Sequence, residues 1–297
     1  SSPLPSAPAP SADAPLVQVR DLPVRFVSRD LDIPVVGGVS FDVHRGQVLC
    51  LLGESGSGKS VTLRALMRLF PPTARIGGEI LIDGIRILDL PASRLRSVRG
   101  GLVSMVFQEP MTAFDPVFRI GRQIAETVAC HDGVSVKDGH RRALELFELV
   151  QIPSAQRRLE AYPHELSGGL RQRAMIALAL ACRPRLLLAD EPTTALDATV
   201  QIQILLLLRQ LQQELGMATI FVTHDLGVAC EVADRIAVMY AGRFVESGPV
   251  AEVMDAPRHP YTQGLLRATV HGGTGGRPLD SIPGSVPDLN DLPPGCA

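Results

Sequence analysis

Apolar positions fall into two rhythms along this chain, and each predicts its own kind of element. Short unbroken runs at Gly46–Leu52, Gly78–Ile82, Leu102–Phe107, Leu186–Ala189 and Thr219–Val222 have the length of strands. Ile120–Cys130, His140–Ile152 and Gly169–Ala181 instead repeat apolar residues every three and four positions, the spacing that puts them on one face of a helix. Val61–Phe70 and Val200–Leu215 add two further helical stretches. Asp83-Gly84 and Ala241-Gly242, each set between apolar runs, predict hairpin turns. Strands alternating with helices predict an α/β fold around a mostly parallel, doubly wound sheet. The all-helical stretch at about 113–182 predicts a subdomain inserted into that core.

The two ends read differently. Residues 1–15, SSPLPSAPAPSADAP, are rich in Pro, Ser and Ala and are expected to be disordered. The ordered domain is expected over 16–256. From Ala256 onward Pro and Gly dominate, so 257–297 is expected to be an extended tail rather than a second core.

Composition narrows the partners. With 45% hydrophobic and 20% charged residues the chain has the balance of a globular protein, and its formal net charge of −2 gives no case for binding nucleic acid or an anionic membrane. Its longest apolar runs, such as Val48–Leu52 and Leu205–Leu208, are far too short to cross a bilayer, so any membrane role is expected to be peripheral. The five cysteines (Cys50, Cys130, Cys182, Cys230, Cys296) form no C-x-x-C pair, which argues against a zinc site and a disulfide framework and for a reduced, cytosolic protein. Of 29 basic residues only Lys59 and Lys137 are lysine. The scarcity makes Lys59 conspicuous.

Lys59 closes the segment Gly53-Glu54-Ser55-Gly56-Ser57-Gly58-Lys59-Ser60, which fits G-x-x-x-x-G-K-[ST] between an apolar strand and a helix. Gly53, Gly56 and Gly58 let the backbone curl, so that its N–H groups, including those of Ser55 and Ser57, face phosphate oxygens at the positive end of a helix. Lys59 can reach the β- and γ-phosphates, and the Ser60 hydroxyl is placed to ligate Mg²⁺. Further on, Leu186-Leu187-Leu188-Ala189 ends in Asp190 and Glu191. Ligands of open α/β sheets sit at the carboxyl ends of strands, so Asp190 is expected to support Mg²⁺ and Glu191 to polarise the water attacking the γ-phosphate. An Asp-Glu pair alone is usually a solvated turn. In a chain with a phosphate-binding loop, and at the end of an aliphatic strand, it gains weight.

Leu166-Ser167-Gly168-Gly169-Leu170-Arg171-Gln172-Arg173 resembles the signature motif of the ATP-binding-cassette (ABC) ATPases, and Leu170 followed by Arg-Gln-Arg is similar to the oligopeptide/dipeptide importer branch. Ser167 also suits the N-cap of the helix that follows. Other segments resemble family motifs in family order. Gln108, after Val106-Phe107, resembles the Q-loop glutamine, a Mg²⁺ and water contact. Ala195-Leu196-Asp197 resembles the D-loop. His224, after Thr223, resembles the switch histidine that senses the γ-phosphate. Phe26 resembles the aromatic residue that stacks on adenine; an edge-strand phenylalanine packed into the core is the competing account. In the tail, His259-Pro260-Tyr261-Thr262, Ile282-Pro283-Gly284 and Pro294-Gly295-Cys296 resemble the importer branch.

The resemblance implies a P-loop NTPase core carrying an antiparallel β subdomain and an inserted helical subdomain, with ATP and Mg²⁺ as ligands. It implies a head-to-tail dimer with a second, paralogous ABC ATPase, in which Lys59, Ser60, Gln108, Asp190, Glu191 and His224 act on one nucleotide. Ser167, Gly168 and Gly169 act on the partner's nucleotide, and Asp197 of the D-loop is counted among the nucleotide-binding residues. Two transmembrane permease subunits and, indirectly, an extracytoplasmic solute-binding protein complete the expected assembly at the cytoplasmic face of the cell membrane. Solutes expected are di- or oligopeptides, with nickel or another small solute as the alternative. A soluble ABC protein is disfavoured by the lack of a coiled-coil insertion, and a P-loop kinase or GTPase leaves Leu166–Arg173 unexplained. Some importers of this branch hold an iron–sulfur cluster on cysteines that follow a Pro-Gly-Cys segment. Here Cys296 is followed only by Ala297, so this chain is expected to bind no cluster, although a longer parent chain could.

Overall fold

The computed structural model describes residues 14–29, 32–194, 196–270, 287 and 289. The expected disordered segment 1–15 therefore falls almost wholly outside the described residues, as do Ala195, Ile282-Pro283-Gly284 and Pro294-Gly295-Cys296. The chain divides into two compact units, one made of 1–90 with 220–297 and the other of 91–219.

In the first unit β1 (Val17–Val27) and β2 (Asp32–Val43) pair antiparallel from Val17 opposite Val43 to Val27 opposite Asp32. β3 (Val48–Leu52) leads to α1 (Lys59–Leu66), and β4 (Ala74–Ile76), β5 (Glu79–Ile82) and β6 (Ile85–Arg86) follow. β1, β2, β4, β5 and β6 make one antiparallel sheet, ordered β2-β1-β5-β6 with β4 on β1. Periodicity alone located only β5 of these strands. β1 alternates buried Val17, Val19, Leu22 and Val24 with polar Gln18 and Arg25, but an irregular register around Asp21 breaks the alternation. Asp83-Gly84 turns β5 into β6, as expected.

The second unit holds α2 (Ala92–Gly101), β7 (Val103–Val106), α3 (Ile120–Asp132), α4 (Val136–Leu149), α5 (Ala155–Leu159), α6 (Gly168–Ala179), β8 (Leu186–Asp190) and α7 (Ala198–Leu215). β7 and β8 run parallel, Val103 opposite Leu186 and Val106 opposite Ala189. Between 113 and 182 the described residues form helices, 3₁₀ turns and connecting loops, and no strand. α4 starts ahead of the apolar run at His140, because the Ser135 hydroxyl accepts the Asp138 N–H at 3.1 Å and caps its first turn.

β9 (Ala218–Thr223) returns the chain to the first unit, followed by α8 (Leu226–Val232), β10 (Arg235–Tyr240), β11 (Arg243–Pro249), α9 (Val250–Asp255) and α10 (Pro260–Val270). There the strand order is β11-β10-β3-β9, with β10 parallel to β3 and β11 antiparallel to β10 through the expected Ala241-Gly242 turn. All five residues of β3 are buried, which explains its unbroken apolar run; truncating Leu51 or Leu52 to Ala costs about 2–5 kcal/mol. α10 corrects the expectation of an extended tail from 257 onward. Pro260 sits at its start, where a missing N–H is harmless, and Tyr261 and Thr262 are buried. Pro content marked a helix start here.

Candidate functional site

The loop expected to bind phosphate, from Gly53 to Ser60, is built from unit-one residues. Asp234 ties the entry of β3 to that of β10, since its carboxylate accepts the Val48 N–H at 2.8 Å while its own N–H donates to the Val48 carbonyl at 3.0 Å. β3 then delivers Gly53, whose φ of 152° and close approach to Met239 leave no room for a side chain, because an added Cβ would fall onto the Met239 carbonyl oxygen. Gly58 takes a left-handed conformation, φ 103°, at the N-cap of α1 and offers no side chain to its first N–H groups. From the hairpin turn, Gly242 donates its N–H to the Ser57 carbonyl at 3.0 Å and props the loop from behind.

Lys59 is 4% exposed and lies along its own loop, its Nζ donating to the carbonyls of Gly53 at 2.6 Å and Glu54 at 2.7 Å and standing 3.4 Å from Ser57 Oγ. Ser60 begins α1 half-buried. His224 is exposed directly after β9, and its neighbour Asp225 turns away to cap α8, accepting the Val228 N–H at 3.2 Å. Phe26 is half-buried on β1 and meets Phe70 edge-on, ring centroids 5.5 Å apart. That contact belongs to the core-packing account of Phe26 and leaves stacking on adenine as a separate proposal.

Sequence reasoning missed one loop contact. The phenolic oxygen of Tyr261, on α10, accepts the Glu54 N–H at 3.0 Å. The tail motif holding Tyr261 was visible, but nothing in sequence spacing connects position 261 to position 54.

The second unit carries the other candidates. Asp190 ends β8 with 3% exposure, and Glu191 follows with a φ of 44°, a left-handed backbone that a non-glycine residue seldom adopts. Thr194 Oγ1 donates to Glu191 Oε2 at 3.0 Å. Gln108 is exposed in the bend after β7. Ser167 occupies the N-cap of α6 in extended backbone, as expected, and its side chain makes no capping bond. Gly168 and Gly169 face the residues leading into α7: a Cβ on Gly169 would stand 2.7 Å from Val200 Cγ1, and one on Gly168 would stand 3.4 Å from Leu196 Cδ2. Gly169 thus lets the start of α6 lie close to the start of α7, whereas a side chain at Gly168 would make an ordinary contact. Asp197 caps α7, its carboxylate accepting the Val200 N–H at 3.0 Å.

Ser60, Gln108 and Asp190 are all oxygen donors, the chemistry Mg²⁺ takes while it keeps waters and phosphate oxygens. Cys50 and Cys182 are poor metal ligands by contrast. Burial pushes the Cys50 thiol up, and pushes Cys182 up to about 12, so neither is a ready thiolate. Among the described residues no helix is long and apolar enough to cross a membrane.

Comparison with known proteins shows the family of the chain. A family model described as ABC transporter matches residues 36–194, and one described as oligopeptide/dipeptide transporter, C-terminal region, matches residues 245–297. The oligopeptide transport ATP-binding protein OppD of Bacillus subtilis is 47% identical over 95% of this chain and 80% of its own length. OppD of Salmonella typhimurium is 46% identical over 95% of this chain and 84% of its own. A putative peptide import ATP-binding protein of Brucella melitensis is 50% identical over 95% and 88%. Among solved structures, the dimeric ATP-binding cassette MJ0796 in a post-hydrolysis state bound to ADP and phosphate superimposes with a TM-score of 0.70. It is 30% identical and covers 79% of this chain and 98% of that one.

Proposed function

Because this chain belongs to the ABC transporter family of ATP-binding cassettes, we propose that it is the ATP-hydrolysing subunit of an importer of di- or oligopeptides. The substrate class is carried by the match of residues 245–297 to the C-terminal region of oligopeptide/dipeptide transporters.

In this proposal the loop from Gly53 to Ser60 receives the nucleotide phosphates, with backbone N–H groups and the Lys59 ammonium opposing their charge. Phe26 stacks on the base. Ser60, Asp190 and Gln108 hold the Mg²⁺, which neutralises charge on the phosphate oxygens when bound. Glu191 accepts the proton of the attacking water, and His224 contacts the γ-phosphate and reports its presence. Ser167, Gly168 and Gly169 complete the site of a second cassette across a head-to-tail dimer, with Asp197 beside them, so neither cassette turns over alone. The dimeric MJ0796 cassette supports such pairing. The partner is a paralogous ATPase, and the pair docks on two permease subunits at the cytoplasmic face of the membrane, supplied by a solute-binding protein outside. In domain terms, 16–256 is the nucleotide-binding domain, with its helical subdomain at 113–182, and 257–297 is an importer-type extension.

The test is transport by the assembled complex. Short peptides delivered by the binding protein should stimulate ATP hydrolysis and accumulate inside vesicles, while nickel ions should do neither. Stimulation by nickel and not by peptides would overturn the substrate class and leave the ATPase intact.

A further inference from the structure

The Gly53–Glu54 peptide is held at both ends. Its carbonyl oxygen accepts the Lys59 ammonium at 2.6 Å, and its N–H donates to the phenolic oxygen of Tyr261 at 3.0 Å. A trans peptide is planar and points its C=O and N–H in opposite directions, so the two bonds together fix its rotation about the chain. The carbonyl of Glu54 gives Lys59 a second acceptor at 2.7 Å. Tyr261 therefore stands one peptide away from the cation of the phosphate-binding loop.

Tyr261 is itself firmly held. Its ring is 7% exposed and lies 4.5 Å, centroid to centroid, from that of Tyr240 on β10. Its N–H donates to His259 Nδ1 at 3.1 Å, fixing the first turn of α10. The Glu246 carboxylate, on β11, accepts the N–H groups of Arg258 at 2.7 Å and His259 at 3.0 Å, and Gln263 Nε2 donates to the Pro257 carbonyl at 2.9 Å. Every one of these partners lies in the same compact unit as the loop. Burial pushes the phenol up to about 12, so near neutral pH Tyr261 presents an uncharged oxygen and adds no anion beside the phosphates.

We propose that Tyr261 is a positioning residue for ATP binding: by fixing the Gly53–Glu54 peptide it fixes where Lys59 is held, and so makes the C-terminal extension a determinant of nucleotide affinity. The inference rests on Lys59 being the phosphate-binding lysine. Losing the phenolic oxygen strands a donor behind the loop and lets the peptide rotate, which withdraws one of the carbonyls that hold the ammonium.

The experiment compares Tyr261→Phe, Tyr240→Phe and Lys59→Ala in the full chain within its assembled complex, measuring ATPase kinetics, ATP affinity and melting temperature. Tyr261→Phe keeps the ring pair and should raise the KM for ATP about five- to tenfold while changing kcat less than about twofold. Deuterium exchange at the Glu54 amide should quicken in the same variant. Tyr240→Phe retains the Glu54 acceptor and should leave KM within about twofold. An unchanged KM in Tyr261→Phe, whether or not its melting temperature falls, overturns the proposal provided Lys59→Ala has lost ATP affinity. Undiminished affinity in Lys59→Ala overturns the underlying assignment of the loop instead.

Discussion

Two helix starts in the second unit share one backbone and differ in what they do with it. At the head of α6, Ser167 has φ −65° and ψ 163°; at the head of α7, Asp197 has φ −66° and ψ 155°. Asp197 accepts the N–H of Val200 and closes its helix, whereas Ser167 makes no capping bond and stands exposed. Serine is capable of the bond in that geometry, because Ser135 makes it at φ −67° and ψ 152°. The first-turn N–H groups of α6 are thus left without the side-chain acceptor that α7 has, at the motif proposed to meet a second cassette's phosphate. One start is closed by its own side chain; the other is not.

The largest effect that could sharpen this contrast comes from the proposed phosphate-binding loop, which leads into α1, another helix start without a side-chain cap. Lys59→Ala should weaken ATP binding about a hundredfold or more, since it removes the fixed cation from a polyanion site. Unchanged affinity by calorimetry would remove the loop from the comparison.

Glu191→Gln should lower turnover by about a hundredfold to ten-thousandfold while ATP still binds, because the amide keeps size and hydrogen bonding but cannot take a proton. Near-normal hydrolysis in the variant complex would show that another group handles the water.

Ser167→Arg tests the open helix start directly. It should leave ATP affinity at its own phosphate-binding loop within about twofold and cut hydrolysis at the partner's site about a hundredfold, through bulk and misplaced charge. Loss of its own ATP binding, with the partner's turnover intact, would contradict head-to-tail pairing.

Alanine at each N-cap separates cap from ligand site. Asp197→Ala should cost about 1 kcal/mol of stability, read as a fall of a few degrees in melting temperature. Ser167→Ala should cost less than about 0.5 kcal/mol, because no capping bond is lost, yet it should still slow the assembled ATPase. Equal losses of stability would erase the difference between the two starts.

A further effect concerns pH. Folding raises the Tyr261 phenol from its ordinary value of 10 to about 12, so its contribution is complete below pH 10 and is lost as pH rises towards 12. The wild-type chain should therefore lose more stability than Tyr261→Phe between those pH values. Parallel melting curves across that window would contradict the burial of the phenol.

The sequence by itself determined the elements that speak locally. β3, β7, β8 and β9 were legible because a strand buried on both faces needs an unbroken apolar run, and the long amphipathic helices because one face must repeat every three or four residues. The loop from Gly53 to Ser60 was legible because its function fixes residue types at fixed spacing. β1 was not, since an irregular register hides its alternation, and neither was α10, since proline reads as a breaker until the chain shows that it sits at a helix start. Tertiary structure alone decided the contacts that join distant positions: Tyr261 behind Glu54, Gly242 behind Ser57, and Gly169 against Val200. It also decided that Ser167 stays at its N-cap without capping. Periodicity and spacing report neighbours a turn or a pleat away, and a hydrogen bond between residues 54 and 261 exists only once folding has brought them within 3.0 Å.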